Sequence, residues 1–182
     1  MRSLPLVLQV ALLTLAVTAG FLDYRTRRIP NLLVFSGLIL GIGLNTMLDG
    51  TTGLGVALRG GGLALLIYFP LFALRAMGAG DAKLMAAVGT IVGPGNWVVI
   101  FFLTAGLGGL LGLMMTIGHQ RAGRTGQNIV FILNELIHLR APHRNRPELA
   151  AGHDKALSTP HGVVIALASC IFLTLTRLAA AR

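Results

Sequence analysis

The sequence is poor in cysteine, in charge and in aromatic residues, and each scarcity removes a class of protein. Of its 182 residues only one is cysteine. That thiol, Cys170, can form neither an intramolecular disulfide nor a cysteine-built zinc site, and its place inside an apolar run makes it a packing residue. Charged residues make up 12% of the chain and hydrophobic residues 54%, with a mean hydropathy of +0.78. So few charges cannot cover the surface of a soluble domain of this length, and the composition is that of a polytopic membrane protein. Lysine and arginine outnumber acidic residues 15 to 6, a formal charge of +9. The basic residues fall between apolar runs and are not interleaved with aromatics, so no nucleic-acid partner is expected. The five histidines, His119, His138, His143, His153 and His161, match no compact ligand spacing. Neither a metal nor any other cofactor is therefore expected.

What remains is a series of apolar runs, and their lengths predict an all-α fold, a single polytopic bundle of about six transmembrane helices over residues 1–182. The expected spans are about 4–22, 31–48, 54–74, 82–92, 96–118 and 160–178, with a polar cytoplasmic or interfacial segment at 119–158. A cleaved signal peptide at the start would carry its positive charge before the apolar core, whereas Arg25, Arg27 and Arg28 follow it. Pro30 suits the first turn of a second helix, and Asp49-Gly50-Thr51-Thr52-Gly53 forms a turn. Arg59 lies near enough to a span end to snorkel outward, while Gly60-Gly61-Gly62, and later Gly108 and Gly112, allow close helix approach. The fourth run is short for a span, which places Asp81 below the membrane surface or thins the bilayer around it. The stretch 129–139 suits an interfacial helix, and the basic residues from Arg140 to Arg146 suit anionic lipid headgroups.

Orientation follows from the loops. Arg25, Arg27 and Arg28, then Arg75 and Lys83, then the basic residues of 119–158 occupy alternate loops, while the turns at 49–53 and 93–95 carry no lysine or arginine. By the positive-inside rule the basic loops are cytoplasmic and both termini lie outside. Asp23 and Asp81, each in a polar break beside a basic loop, then share the cytoplasmic face.

Two carboxylates at one edge of a dry bundle support a definite chemistry. Held a few ångströms apart they share one proton, so one can deprotonate a water while the other protonates a peptide carbonyl. Taken from the helices that carry them, the macrodipoles predict Asp81, at a helix N-terminus, as the ionised base and Asp23, at a helix C-terminus, as the acid. The same residues admit two other readings. Asp81 after Gly80 suits a helix cap, and two membrane acids can bind a cation or relay protons in a small proton- or cation-coupled transporter. Transporters place such acids near the bilayer midplane and carry inverted repeats. Here both acids stand at one edge, and the two halves of the chain do not match.

Three stretches resemble those of the type IV prepilin peptidases, intramembrane aspartyl endopeptidases with a Gly-x-Gly-Asp signature. Asp23-Tyr24-Arg25-Thr26-Arg27-Arg28-Ile29-Pro30-Asn31 is similar to the family's aspartate followed by a basic segment and Ile-Pro-Asn. Gly78-Ala79-Gly80-Asp81-Ala82-Lys83-Leu84 resembles its Gly-x-Gly-Asp-x-Lys-Leu motif, and Thr159-Pro160-His161-Gly162 the opening of its last helix. The resemblance implies that Asp23 and Asp81 are the catalytic pair, that Gly78, Gly80, Lys83, Ile29, Pro30 and Asn31 position them, and that His161 and Gly162 line the site. It implies a prepilin or pseudopilin substrate, cut after a short basic leader at the cytoplasmic side of a bacterial inner membrane, with membrane lipids as the other partner. His161 stands where the family often has tyrosine and Val163 where proline is common. The larger members carry a cysteine-containing cytoplasmic domain and N-methylate the new terminus. This sequence has no such cysteines and looks like the short, peptidase-only branch of tight-adherence (Flp) pilus systems.

Overall fold

The computed structural model describes residues 4–74, 77–118 and 161–180. They form α1 (Leu6–Thr26), α2 (Asn31–Ala73), α3 (Ala79–Gly118) and α4 (His161–Ala180), with no strand among them. Each helix is long and apolar enough to cross a membrane. The all-helical expectation holds, but the helix count among the described residues is four and not six. The turns expected at 49–53 and 93–95 shrink to single non-helical glycines, Gly50 (φ 59°, ψ −136°) inside α2 and Gly93 (φ 74°, ψ 171°) inside α3. A positive φ is open to glycine without a Cβ clash, so each fold-back needs only one residue and helical geometry resumes at once. The segment at 119–158, including the stretch 129–139 and the residues from Arg140 to Arg146, lies outside the described residues.

The chain doubles back at both glycines. Gly41 and Gly61, on opposite sides of the Gly50 break, both face Thr90, and Gly60 and Gly89 meet backbone to backbone, each too close to the other's carbonyl for a Cβ. Lipid tails are as apolar as leucine, so helices in a membrane associate through such close contact and not through a hydrophobic drive. The expected role of Gly60 and Gly61 is therefore observed. A Cβ on Gly62 or Gly112 would meet nothing within 4 Å, whereas one on Gly108 would touch α4. Large apolar side chains such as Leu32, Ile39, Leu66, Phe69 and Phe102 point outward, as a lipid-facing shell requires. Arg59 is exposed and donates from Nε to Gly55 O at 2.9 Å, in keeping with the snorkelling expectation.

Pro94 lacks the N–H that Thr90 O would otherwise accept one turn earlier. Asn45 supplies the missing donor: its buried Nδ2 reaches Thr90 O at 2.9 Å, Ile91 O at 3.2 Å and Gly41 O at 2.9 Å. This clasp ties α2 to the α3 break. Asn45→Ala is expected to lower unfolding stability in detergent by about 1–2 kcal/mol, read as a reduced midpoint of thermal or denaturant unfolding. An unchanged midpoint would show that the clasp contributes nothing.

Candidate functional site

The site grows from four helix ends. α1 closes at a left-handed Arg27 (φ 53°), whose N–H donates to Asp23 O at 2.9 Å. Thr26 Oγ1 donates within the same turn, to Leu22 O at 2.8 Å or Arg28 O at 3.1 Å. These bonds fix the last turn of α1 and hence the direction of the Asp23 side chain. Asp23 therefore stands inside the helix, one turn before its end, in keeping with its expected place at a helix C-terminus, although the expected span of about 4–22 stops one residue short of it. Pro30, with φ −63° and ψ 136°, then starts α2 in the preorganised geometry of a helix N-terminus.

Asp81 stands in the first turn of α3, where the N-terminal dipole favours negative charge. Its carboxylate folds back, so that a Cβ on Gly78 would lie 3.2 Å from Asp81 Oδ2. That proximity explains the glycine at 78. A Cβ on Gly80 would stand 3.4 Å from Ile29 Cβ, and Lys83 Nζ donates to Asn31 Oδ1 at 3.1 Å. The two motifs, remote in sequence, thus interlock: Ile29 covers Gly80, Asn31 holds Lys83, and the start of α3 is braced by the start of α2.

Asp23 is braced from the other side. It is 7% exposed, and its Oδ2 accepts the Gly162 N–H at 2.8 Å across the α1–α4 contact. A Cβ on Gly162 would fall 2.9 Å from Asp23 Cβ. Asp23 therefore lies between the C-terminal end of its own helix and the N-terminal end of α4. Their fields at the carboxylate oppose each other, and the dipole assignment of acid and base made from α1 alone does not carry over.

The two carboxylates are close enough for the charge on Asp23 to act at Asp81. The same charge acts at His161 and that of Asp81 at Tyr68, so four titratable side chains gather at one end of the bundle. Tyr68 was not visible as a site residue in the sequence, where a tyrosine in an apolar run has no distinguishing signal. It is 2% exposed and packs edge-on against Trp97 and Phe101. The Gly60–Gly89 contact sets its register opposite Asp81 on the antiparallel partner segment. A cavity of about 550 Å³ opens elsewhere, beside Leu8, Asp49, Gly93 and Asn96. Neither motif aspartate lines it, and the chemistry is better placed at the aspartates. Among the described residues no three or more of His, Cys, Asp and Glu gather as a metal site.

The type IV leader peptidase family model matches residues 10–113, more than half of the chain and inclusive of Asp23 and Asp81. No curated protein and no solved structure matches the chain.

Proposed function

The chain belongs to the type IV leader peptidase family, and from that premise we propose that it is a membrane-embedded aspartyl endopeptidase in which Asp23 and Asp81 are the catalytic pair. The observation that carries the reading is their gathering at one end of the bundle, where the Ile29–Gly80 and Asn31–Lys83 contacts hold the start of α3 against the link that follows the last turn of α1, the turn that carries Asp23. The pair shares one proton. The ionised carboxylate takes a proton from water, whose oxygen adds to the scissile carbonyl carbon while the protonated carboxyl gives its proton to the carbonyl oxygen. Collapse of the resulting diol breaks the C–N bond as a carboxyl delivers a proton to the leaving nitrogen. Gly78 leaves room for Asp81, the Ile29–Gly80 and Asn31–Lys83 contacts hold its helix, and Gly162 orients Asp23.

The substrate is a prepilin or pseudopilin, from which the enzyme removes the short basic leader at the cytoplasmic face of a bacterial inner membrane. The alternation of basic loops in the sequence supports that orientation. The chain acts as a peptidase without N-methyltransferase activity, in a tight-adherence pilus system, in keeping with the absence of a cysteine-rich insertion between its motifs. Family membership does not favour the transporter reading. Co-expression with a candidate pilin-like protein tests the assignment. Mass spectrometry of that protein should show its leader removed only when the peptidase is present, with the new N-terminus unmethylated. An unprocessed substrate at normal enzyme levels would count against the peptidase reading, and a methylated terminus against the peptidase-only one.

A further inference from the structure

Two buried polar atoms have no hydrogen-bond partner among the described residues: Nε2 of His161 and Oγ1 of Thr104. They lie on two helices, α3 and α4, that pack against each other. His161 opens α4, and a Cβ on Gly108 of α3 would stand 3.8 Å from its Cε1, so α3 presents no side chain to the imidazole there. Thr104 precedes Gly108 by one turn on the same face of α3 and is 1% exposed. A threonine in an apolar helix commonly donates to a carbonyl one turn back, as Thr46, Thr174 and Thr176 do here at 2.7, 2.9 and 3.0 Å. Thr104 is left out of that pattern.

The two atoms also sit at the depth of the chemistry. At about 1.5 Å per residue, Asp81 lies roughly 18 Å before the Gly93 break, and Thr104 and Gly108 lie roughly 17 and 22 Å after it. Gly162, the next residue after His161, donates its N–H to Asp23. Two orphaned polar groups in a dry interface are costly unless a partner arrives, and one of them, on His161, is next in sequence to the residue that donates to Asp23. A peptide group offers one donor and one acceptor, and a hydroxyl and an imidazole nitrogen can meet both.

We propose that His161 Nε2 and Thr104 Oγ1 form a polar notch that holds a backbone peptide group of the substrate beside the aspartate pair, with His161 and Thr104 as positioning residues for the scissile bond. The proposal rests on the peptidase reading above and specifies the form of the bound substrate. A helix uses its own amides internally, so the segment that enters the notch is unwound, as a chain must be for water to reach its carbonyl.

Cleavage kinetics of a synthetic pilin-like peptide by the purified full-length protein in lipid–detergent micelles test it, alongside thermal unfolding. His161→Leu and Thr104→Val each remove an orphaned atom and leave an apolar replacement. Each variant should unfold at the wild-type temperature or above, raise KM roughly three- to tenfold, and change kcat by less than about twofold. His161→Gln, which keeps a side-chain donor and acceptor, should recover most of the KM. An unchanged KM in both single variants overturns the notch and leaves a resident water or a packing defect as the meaning of the orphaned atoms. A loss of stability parallel to the loss of activity overturns it as well, in favour of a structural role. Failure of the wild type to cleave overturns the peptidase reading itself and the notch with it.

Discussion

Asp81→Asn and Asp23→Asn are each expected to abolish leader removal, with cleavage reduced on the order of 10³-fold or more, while both proteins keep wild-type membrane levels. The amide preserves size and most hydrogen bonding but cannot exchange a proton with water. At Asp23 the distinction is sharp, because the carboxylate also accepts the Gly162 N–H at 2.8 Å. An asparagine oxygen can accept the same bond, so Asp23→Asn should leave the α1–α4 contact intact. Asp23→Ala, by contrast, should lose cleavage and about 1–2 kcal/mol of stability together, because it removes a helix-capping acceptor from a buried position. A double Asn variant should be no worse than either single one, since two residues that work as one unit do not contribute additively. Leader removal at the wild-type rate in either single variant would leave that aspartate with only its capping role.

Gly162→Ala is the second large expected effect, and it acts without replacing a titratable group. The new Cβ would fall 2.9 Å from Asp23 Cβ, 3.0 Å from its Oδ2 and 3.1 Å from its Cγ. The root of the Asp23 side chain cannot swing away as a flexible tip could. Either α4 retreats or the carboxylate rotates, and the Gly162 N–H bond stretches in both cases. The neighbouring turn gives little room, since a Cβ on Gly20 would already lie 2.8 Å from Ala166 Cβ. A displacement near 1 Å at a reacting group can cost on the order of 10²-fold in rate. Gly162→Ala is therefore expected to lose roughly 10- to 100-fold in kcat/KM with both aspartates present. Peptide cleavage assays on the purified variant check this, and activity within twofold of wild type would mean that α4 does not position Asp23.

The sequence made the apolar segments legible because hydropathy and length are local properties, and the breaks near Gly50 and Gly93 were marked by glycine and proline. Their form was not legible. A turn of several residues and a single positive-φ glycine look alike in composition, and four helices, two of them broken at one glycine, stand among the described residues where six were expected. The aspartates were visible because each stands out against an apolar background, and Ile29-Pro30-Asn31 and Gly78-x-Gly80-Asp81 were visible as patterns. That these two patterns brace each other, through Ile29 on Gly80 and Lys83 on Asn31, is a tertiary fact with no local signal. The same holds for Asn45, which answers a carbonyl left open by Pro94 on another helix, and for Tyr68 and Thr104, each an ordinary residue of an apolar run until the partner segment is placed. The field at Asp23 was not legible either, because it depends on α4 as well as α1, and the N-terminus of α4 meets the same carboxylate.

The most direct test of the account is cleavage of a pilin-like peptide by the purified protein in heavy-oxygen water with hydroxylamine present, the products being weighed by mass spectrometry. Attack by an aspartate-activated water predicts a leader fragment whose new C-terminal carboxylate carries one solvent oxygen, and no hydroxamate. A hydroxamate on the leader would reveal a covalent acyl intermediate and contradict the aspartate-pair mechanism. An intact peptide would contradict the peptidase assignment itself.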